Sequence, residues 1–197
     1  MTKIDLYYDY RSPFAYFATQ RLTLLSKLGA EIVWKPVLIS GLLNLQDGRE
    51  ITADVQDPLC PAKRAHFMAD IFRLIEYWNI AFAPPMPTPP VCDAAMAISA
   101  LLVSKGVEHS AFRNRIFEAV WQNQSNVEDR EVLCQCAAES GLDLDVNDQL
   151  IRDGSAILLE RTKLAFSQGV FGVPTFVKGD ELYFGADRME LLASTLR

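Results

Sequence analysis

The chain has 197 residues, enough for one large domain or a small domain carrying an insertion. Half of its residues are hydrophobic, so it can bury a substantial core, and its net charge of −6 argues against a nucleic-acid or anionic-membrane partner. No stretch approaches the roughly 20 apolar residues of a membrane span. Met1-Thr2-Lys3 leads into a short strand rather than an apolar leader, so a reducing cytoplasm is expected.

Residues 3–9 (KIDLYYD) read as a strand, with Ile4, Leu6 and Tyr8 alternating against Asp5, Tyr7 and Asp9. Tyr10-Arg11-Ser12-Pro13 then turns into a helix. Its apolar stripe of Phe14, Phe17, Ala18, Leu22, Leu25 and Leu28 stops at Gly29. Residues 31–37 (EIVWKPV) form a second strand, and the order strand, helix, strand predicts a parallel pair with a right-handed crossover. Residues 38–153 differ. Stretches 65–78, 92–105, 110–124, 129–140 and 147–153 carry helical periodicity between breaks such as Asn79, Gly106 and Gly141. The proline-rich run at 83–90 has too few N–H groups for a regular element and reads as a stiff connector. A helix over 155–168 stops at Gly169. A strand follows at 173–177, a turn at 178–181, a partner strand at 182–184 and a last helix over 187–196. Residues 1–37 and 154–197 together make an α/β domain with a thioredoxin-like sheet, discontinuous in sequence, around an all-helical insertion over 38–153.

In a thioredoxin-like sheet the first strand-to-helix turn carries Cys-x-x-Cys. Here the four positions are Ser12-Pro13-Phe14-Ala15, so both sulfurs are absent and dithiol exchange at this turn is chemically excluded. A serine before proline is a strong helix start, and capping alone would account for it. The same hydroxyl at a helix N-terminus is also suited to hold a thiolate brought by a ligand. Gly172-Val173-Pro174-Thr175 has the pattern of a cis-proline entering a strand, against the plainer reading of a trans proline at a strand start. With a cis bond, Val173 would offer its main chain to a cysteine-containing peptide as an added strand. In Phe184-Gly185-Ala186-Asp187 a helix start can cap itself or gather amides for a ligand carboxylate, with Asp187 accepting from an ammonium. Lys63 and Arg64 place two cations at a helix start, where the dipole disfavours them. A bound anion would account for this, as would ordinary solvation.

The four cysteines have neither metal spacing nor a paired framework. Cys134 and Cys136 sit two apart in a helical stretch, pointing about 200° from each other. His66 and His109 have no spaced partner, so no metal site is expected.

With DYRSPFAYFA, GVFGVPTFV and LYFGADRMELL in this order, the chain resembles the kappa-class glutathione transferase family. Within that family it is most similar to the bacterial 2-hydroxychromene-2-carboxylate isomerases. The resemblance covers essentially the full length and implies a DsbA-like thioredoxin fold, a homodimer, and glutathione as cofactor. It further implies that Ser12 hydrogen-bonds the glutathione sulfur, with Phe14 beside it in the same loop. Lys63 is implied in the active-site cleft, as a partner for the substrate carboxylate. Val173 and Pro174 would hold the cysteinyl main chain. Ala186 and Asp187 stand where the family has Ser-Asp for the γ-glutamyl end, so one hydroxyl is missing here. The implied activity is isomerisation of an unsaturated oxo-acid, a small anionic, aromatic electrophile. A transferase or peroxidase would use the same site. A non-catalytic thioredoxin-like module binding peptides along the Val173 edge is the reading from another class, and it predicts no affinity for free glutathione.

Overall fold

A computed structural model describes residues 1–55, 59–85 and 88–197. Strand β1 (Thr2–Tyr8) lies parallel to β2 (Ala30–Pro36), with Leu6 opposite Trp34. Strand β3 (Thr175–Lys178) pairs antiparallel with β1, and β4 (Glu181–Phe184) antiparallel with β3. The sheet order is β2-β1-β3-β4. The two ends of the chain therefore build one mixed sheet, as expected for a thioredoxin-like core. The parallel pair needs a crossover, supplied by the helices between β1 and β2.

That crossover is not the single helix its apolar stripe predicts. Helix α1 (Pro13–Gln20) ends at Arg21, and a short α2 (Thr23–Ser26) follows before Gly29 turns the chain at φ +79°. The break is fixed by Arg21, which leaves the helix to lie over the Trp78 ring at 3.9 Å and to donate to the Ala186 carbonyl at 2.9 Å. Sequence reading also misses α3 (Ile39–Gln46), a short helix containing Gly41. Helix α4 spans Pro61–Trp78, starting four residues before the predicted stretch because Pro61 takes the first helical position.

Helices α5 (Asp93–Ser104), α6 (Ser110–Trp121) and α7 (Arg130–Glu139) follow the predicted spans closely. Every residue of α5 from Ala94 to Leu102 is buried, as suits a helix packed on several sides. Helix α8 (Asp148–Ser167) runs unbroken through Gly154, joining two stretches that read as separate helices. Gly154 is a close-approach residue. A Cβ there would lie 2.2 Å from the Ala97 carbonyl oxygen of α5. The last helix opens with a 3₁₀ turn (Ala186–Arg188) before α9 (Met189–Ser194).

The main core joins sheet and helices, and a second, smaller cluster of Tyr7, Val37, Leu42, Ala165, Val170 and Val173 packs beside it. Tyr8, Tyr10, Tyr16, Phe17, Phe117 and Trp121 bury their rings together. Their centroids lie 4.7–6.4 Å apart in edge, tilted and stacked pairs, for example Tyr10–Phe117 and Tyr16–Trp121. Cys134 is exposed and Cys136 buried on opposite sides of α7, as the two-residue spacing predicts. No helix among the described residues is long and apolar enough to cross a membrane.

Candidate active site

The turn after β1 is held from behind by the helices. Trp121 Nε1 donates to the Tyr10 carbonyl at 2.8 Å, and the Tyr10 and Ser99 hydroxyls pair at 2.8 Å. The Asp9 carboxylate, fully buried, accepts from Arg11 N at 2.9 Å and from Ile39 N at 2.8 Å. The first bond is an Asx turn that shapes residues 9–11; the second ties the turn to the start of α3. Ser12 N donates to the Asp9 carbonyl at 3.1 Å. The backbone at Ser12 is thus fixed on both sides before α1 begins.

Ser12 caps α1, its Oγ accepting from Ala15 N at 3.2 Å. The residue is only 4% exposed. Its hydroxyl proton faces the Val173 carbonyl at 3.4 Å, well beyond the usual O–H···O distance. One lone pair is committed to the cap, and the donor is weakly engaged and free to turn to a better acceptor.

Val173-Pro174 is a cis peptide, as the sequence pattern predicts. The Pro174 carbonyl accepts from Gly185 N at 2.9 Å, which draws the Gly185-Ala186-Asp187 turn to the same end of the sheet. At Gly172 a Cβ would meet the Phe184 ring at 2.8 Å, so the ring, itself partly exposed, lies directly over this backbone. Ala186 is buried, its carbonyl held by Arg21. The Asp187 carboxylate is 57% exposed and 3.1 Å from Arg188. Three motifs separated by up to about 175 residues therefore meet through the bonds Ser12–Val173, Pro174–Gly185 and Arg21–Ala186.

Phe14 projects from the first turn of α1 and packs edge-on against Phe67 of α4 at 4.8 Å. Lys63, one turn before Phe67, is exposed at the head of α4. No recorded contact joins it to Ser12 or Val173.

Asp9 and Arg11 escape a sequence reading because each looks like an ordinary polar turn residue. The usable signal for Asp9 is its place two residues before Arg11 at the start of a turn, the spacing of an Asx turn. Burial pushes the Asp9 carboxyl up to about 6, against two backbone N–H groups that favour its charge. Its folded pKa lies above the ordinary 3.8, so the folded chain prefers the proton. The contribution of Asp9 to stability is full below pH about 4 and is lost as pH rises through about 6, a change of about 3 kcal/mol. The unfolding free energy of the wild type relative to Asp9→Asn should fall by about that amount between pH 3 and 7. A flat difference would place the carboxyl in the ordinary range.

Cys92, buried, shares the electrostatic surroundings of Asp9 and Arg11; burial first, then Asp9, pushes its thiol far above the ordinary range. Burial of this kind disfavours its thiolate.

A family model described as DSBA-like thioredoxin domain matches residues 3–197. The chain belongs to that family. A 2-hydroxychromene-2-carboxylate isomerase from Sphingobium xenophagum is 28% identical over all of this chain and 99% of its own length. Glutathione S-transferase kappa 1 from Homo sapiens is 22% identical over 98% of this chain and 90% of its own. The solved structure of a 2-hydroxychromene-2-carboxylate isomerase superposes with a TM-score of 0.79 at 24% identity, covering 98% of this chain and 94% of that one. This DSBA-like chain thus has its curated relatives among isomerases and glutathione transferases, while the turn after β1 carries no cysteine.

Proposed function

We propose that this chain is a glutathione-dependent isomerase of an unsaturated oxo-acid. The observation that carries the reading is Ser12. Its hydroxyl is fixed by the Ala15 N–H at a helix N-terminus, and its proton meets only a distant carbonyl. A thiolate placed between Ser12 and Val173 would accept that proton and lie near the positive end of α1. The turn itself carries no thiol, since Ser12 and Ala15 stand at the two cysteine positions, and burial raises the thiol pKa of the nearby Cys92.

The residues fit glutathione. Val173 supplies main chain for the cysteinyl unit, beside the Ser12 hydroxyl. The Asp187 carboxylate, still largely solvated, is suited to the γ-glutamyl ammonium, and the backbone of Ala186 remains available although its side chain lacks a hydroxyl. Phe14 shields one side of the turn, and Lys63 belongs to the same cleft on this reading. When bound, glutathione would supply a thiolate for reversible addition to the electrophilic carbon, with the electron pair passing to the conjugated carbonyl and returning on elimination after bond rotation. Ser12 keeps the sulfur ionised, and Asp9 and Trp121 keep Ser12 in place through the turn backbone.

The test is glutathione binding by calorimetry, with absorbance near 240 nm followed against pH. Saturable binding with a thiol pKa well below the usual value of about 8.5 is expected. No binding at millimolar glutathione would overturn the reading and leave a thioredoxin-like binding module. Incubation with 2-hydroxychromene-2-carboxylate should leave the glutathione concentration unchanged. Its consumption would instead support a transferase, the activity named in the kappa-class relative.

A further inference from the structure

The cavity of about 390 Å³ beside the Ser12 turn carries one feature the proposed thiolate site does not use. It lies between the turn, the start of α3, the 51–55 segment and α8, with Leu38, Ile51, Leu158 and Leu159 giving an apolar wall. Arg11 lines it, one residue before Ser12. The Arg11 side chain is only 20% exposed, and its Nε is buried without a hydrogen-bond partner. Its recorded carboxylate neighbour, Asp93, stands 4.0 Å from Nη1 and is itself 59% exposed. The Asp9 and Glu128 charges also reach this guanidinium, while its Nε keeps a hydrogen bond unmade.

We propose that Arg11 is the specificity residue of the electrophile site, taking the carboxylate of an aryl or alkenyl acid whose hydrocarbon body lies on the apolar wall. The proposal deepens the isomerase reading and rests on it for the location of the reacting carbon.

Four observations converge on this. First, the contact with Asp93 involves Nη1, which leaves the Nε–Nη2 edge of the fork. Nε is buried in this structure, so that edge must turn into the cavity to act; once turned, it offers two donors to a ligand carboxylate, the geometry in which arginine binds most strongly. Second, Ser40 and Thr52 also line the cavity and add hydroxyl donors. Third, the two acidic residues of the lining, Asp54 and Asp93, are solvent-exposed, so water screens them while the guanidinium is four-fifths buried. Fourth, Arg11 is adjacent to Ser12 on a turn held by Asp9 and Trp121, so an acid anchored on Arg11 is tethered one residue from the proposed thiolate position, while Ser12 and Val173 themselves lie outside the cavity lining. Lys63 does not line this cavity and is exposed on α4. The carboxylate is therefore assigned to Arg11 in place of Lys63.

Glutathione also carries carboxylates, and the experiment separates the two sources. Calorimetry uses trans-cinnamate and trans-cinnamamide as probes that differ in the carboxylate alone, each with and without saturating glutathione. The wild type should bind cinnamate at least tenfold more tightly than the amide. Arg11→Gln should lose about tenfold for cinnamate and bring the two probes to parity, with Arg11→Lys between them and glutathione affinity within twofold of wild type. Arg11→Gln removes a charge that favours the Asp9, Asp93 and Glu128 carboxylates, so the thermal melt of each variant is recorded beside its binding, and a cooperative melt well above the calorimetry temperature separates lost binding from misfolding. Cinnamate affinity unchanged in Arg11→Gln, or absent from the wild type, overturns the proposal. So does a loss that follows Lys63→Gln instead, or one that appears in glutathione affinity. Failure of the wild type to bind glutathione overturns the isomerase reading alone, because the cinnamate comparison without glutathione still reports on Arg11.

Discussion

Replacing Gly154 by alanine should destabilise the fold by about 3 kcal/mol or more, at the upper end of the usual cost of overpacking. The added Cβ would lie 2.2 Å from the Ala97 carbonyl oxygen, 2.6 Å from its carbon and 3.1 Å from the Ala97 Cα. All three are backbone atoms in the middle of α5, so no rotamer change relieves the clash. The helices must part by more than an ångström, which opens the packing around Met96, Ile98 and Leu158. Alanine gains about 1 kcal/mol of helix propensity over glycine, which offsets only part of this. Urea denaturation with equal slopes for both proteins measures the difference. A variant as stable as wild type would mean that α5 and α8 separate freely. The effect should reach the candidate site as well. Helix α8 contributes Leu158 to the Arg11 cavity, and the Thr162 hydroxyl accepts from Leu38 N at the start of α3.

Gly154 also shows where the sequence is legible and where it is not. A glycine within helical periodicity signals either a break or a close approach, and only the partner helix decides between them. Gly29 and Gly179 could be read correctly because the following strands required a turn, and both have positive φ. The strand alternation of Ile4, Leu6 and Tyr8 is likewise a local signal, and the sheet follows it. The split between α1 and α2 has no such signal. The apolar stripe runs straight across Arg21, which is drawn out by Trp78 and by the Ala186 carbonyl, about 57 and 165 residues away. The same distinction holds at the site. Ser12-Pro13, Val173-Pro174 and Gly185-Ala186-Asp187 announce themselves through local chemistry, and the sheet brings them together. Asp9 and Arg11 acquire their character from burial, which a turn sequence does not encode.

Ser12→Ala should raise the pKa of bound glutathione by about 1–2 pH units. The estimate follows from about 1.5–3 kcal/mol for a hydrogen bond to a charged group and about 1.4 kcal/mol per pH unit. At pH 7 isomerisation should slow by roughly 10–100-fold, and much of the loss should return as the pH is raised towards the new pKa. Glutathione affinity should change little, because Val173 and Asp187 hold the rest of the molecule on the proposed reading. The substitution also removes the cap on α1, which costs about 1 kcal/mol on its own. Ser12→Asn separates the two roles, since asparagine caps a helix as well as serine does but cannot place a hydroxyl proton at the same point. If Ser12 were only a cap, Ser12→Asn would restore activity and neither variant would move the 240 nm titration. If it holds the thiolate, both variants titrate high while Ser12→Asn recovers the lost stability. The separation is clean because Ser12 Oγ uses a lone pair for Ala15 N and its proton for the space beside Val173, so capping and thiolate stabilisation draw on different parts of one hydroxyl.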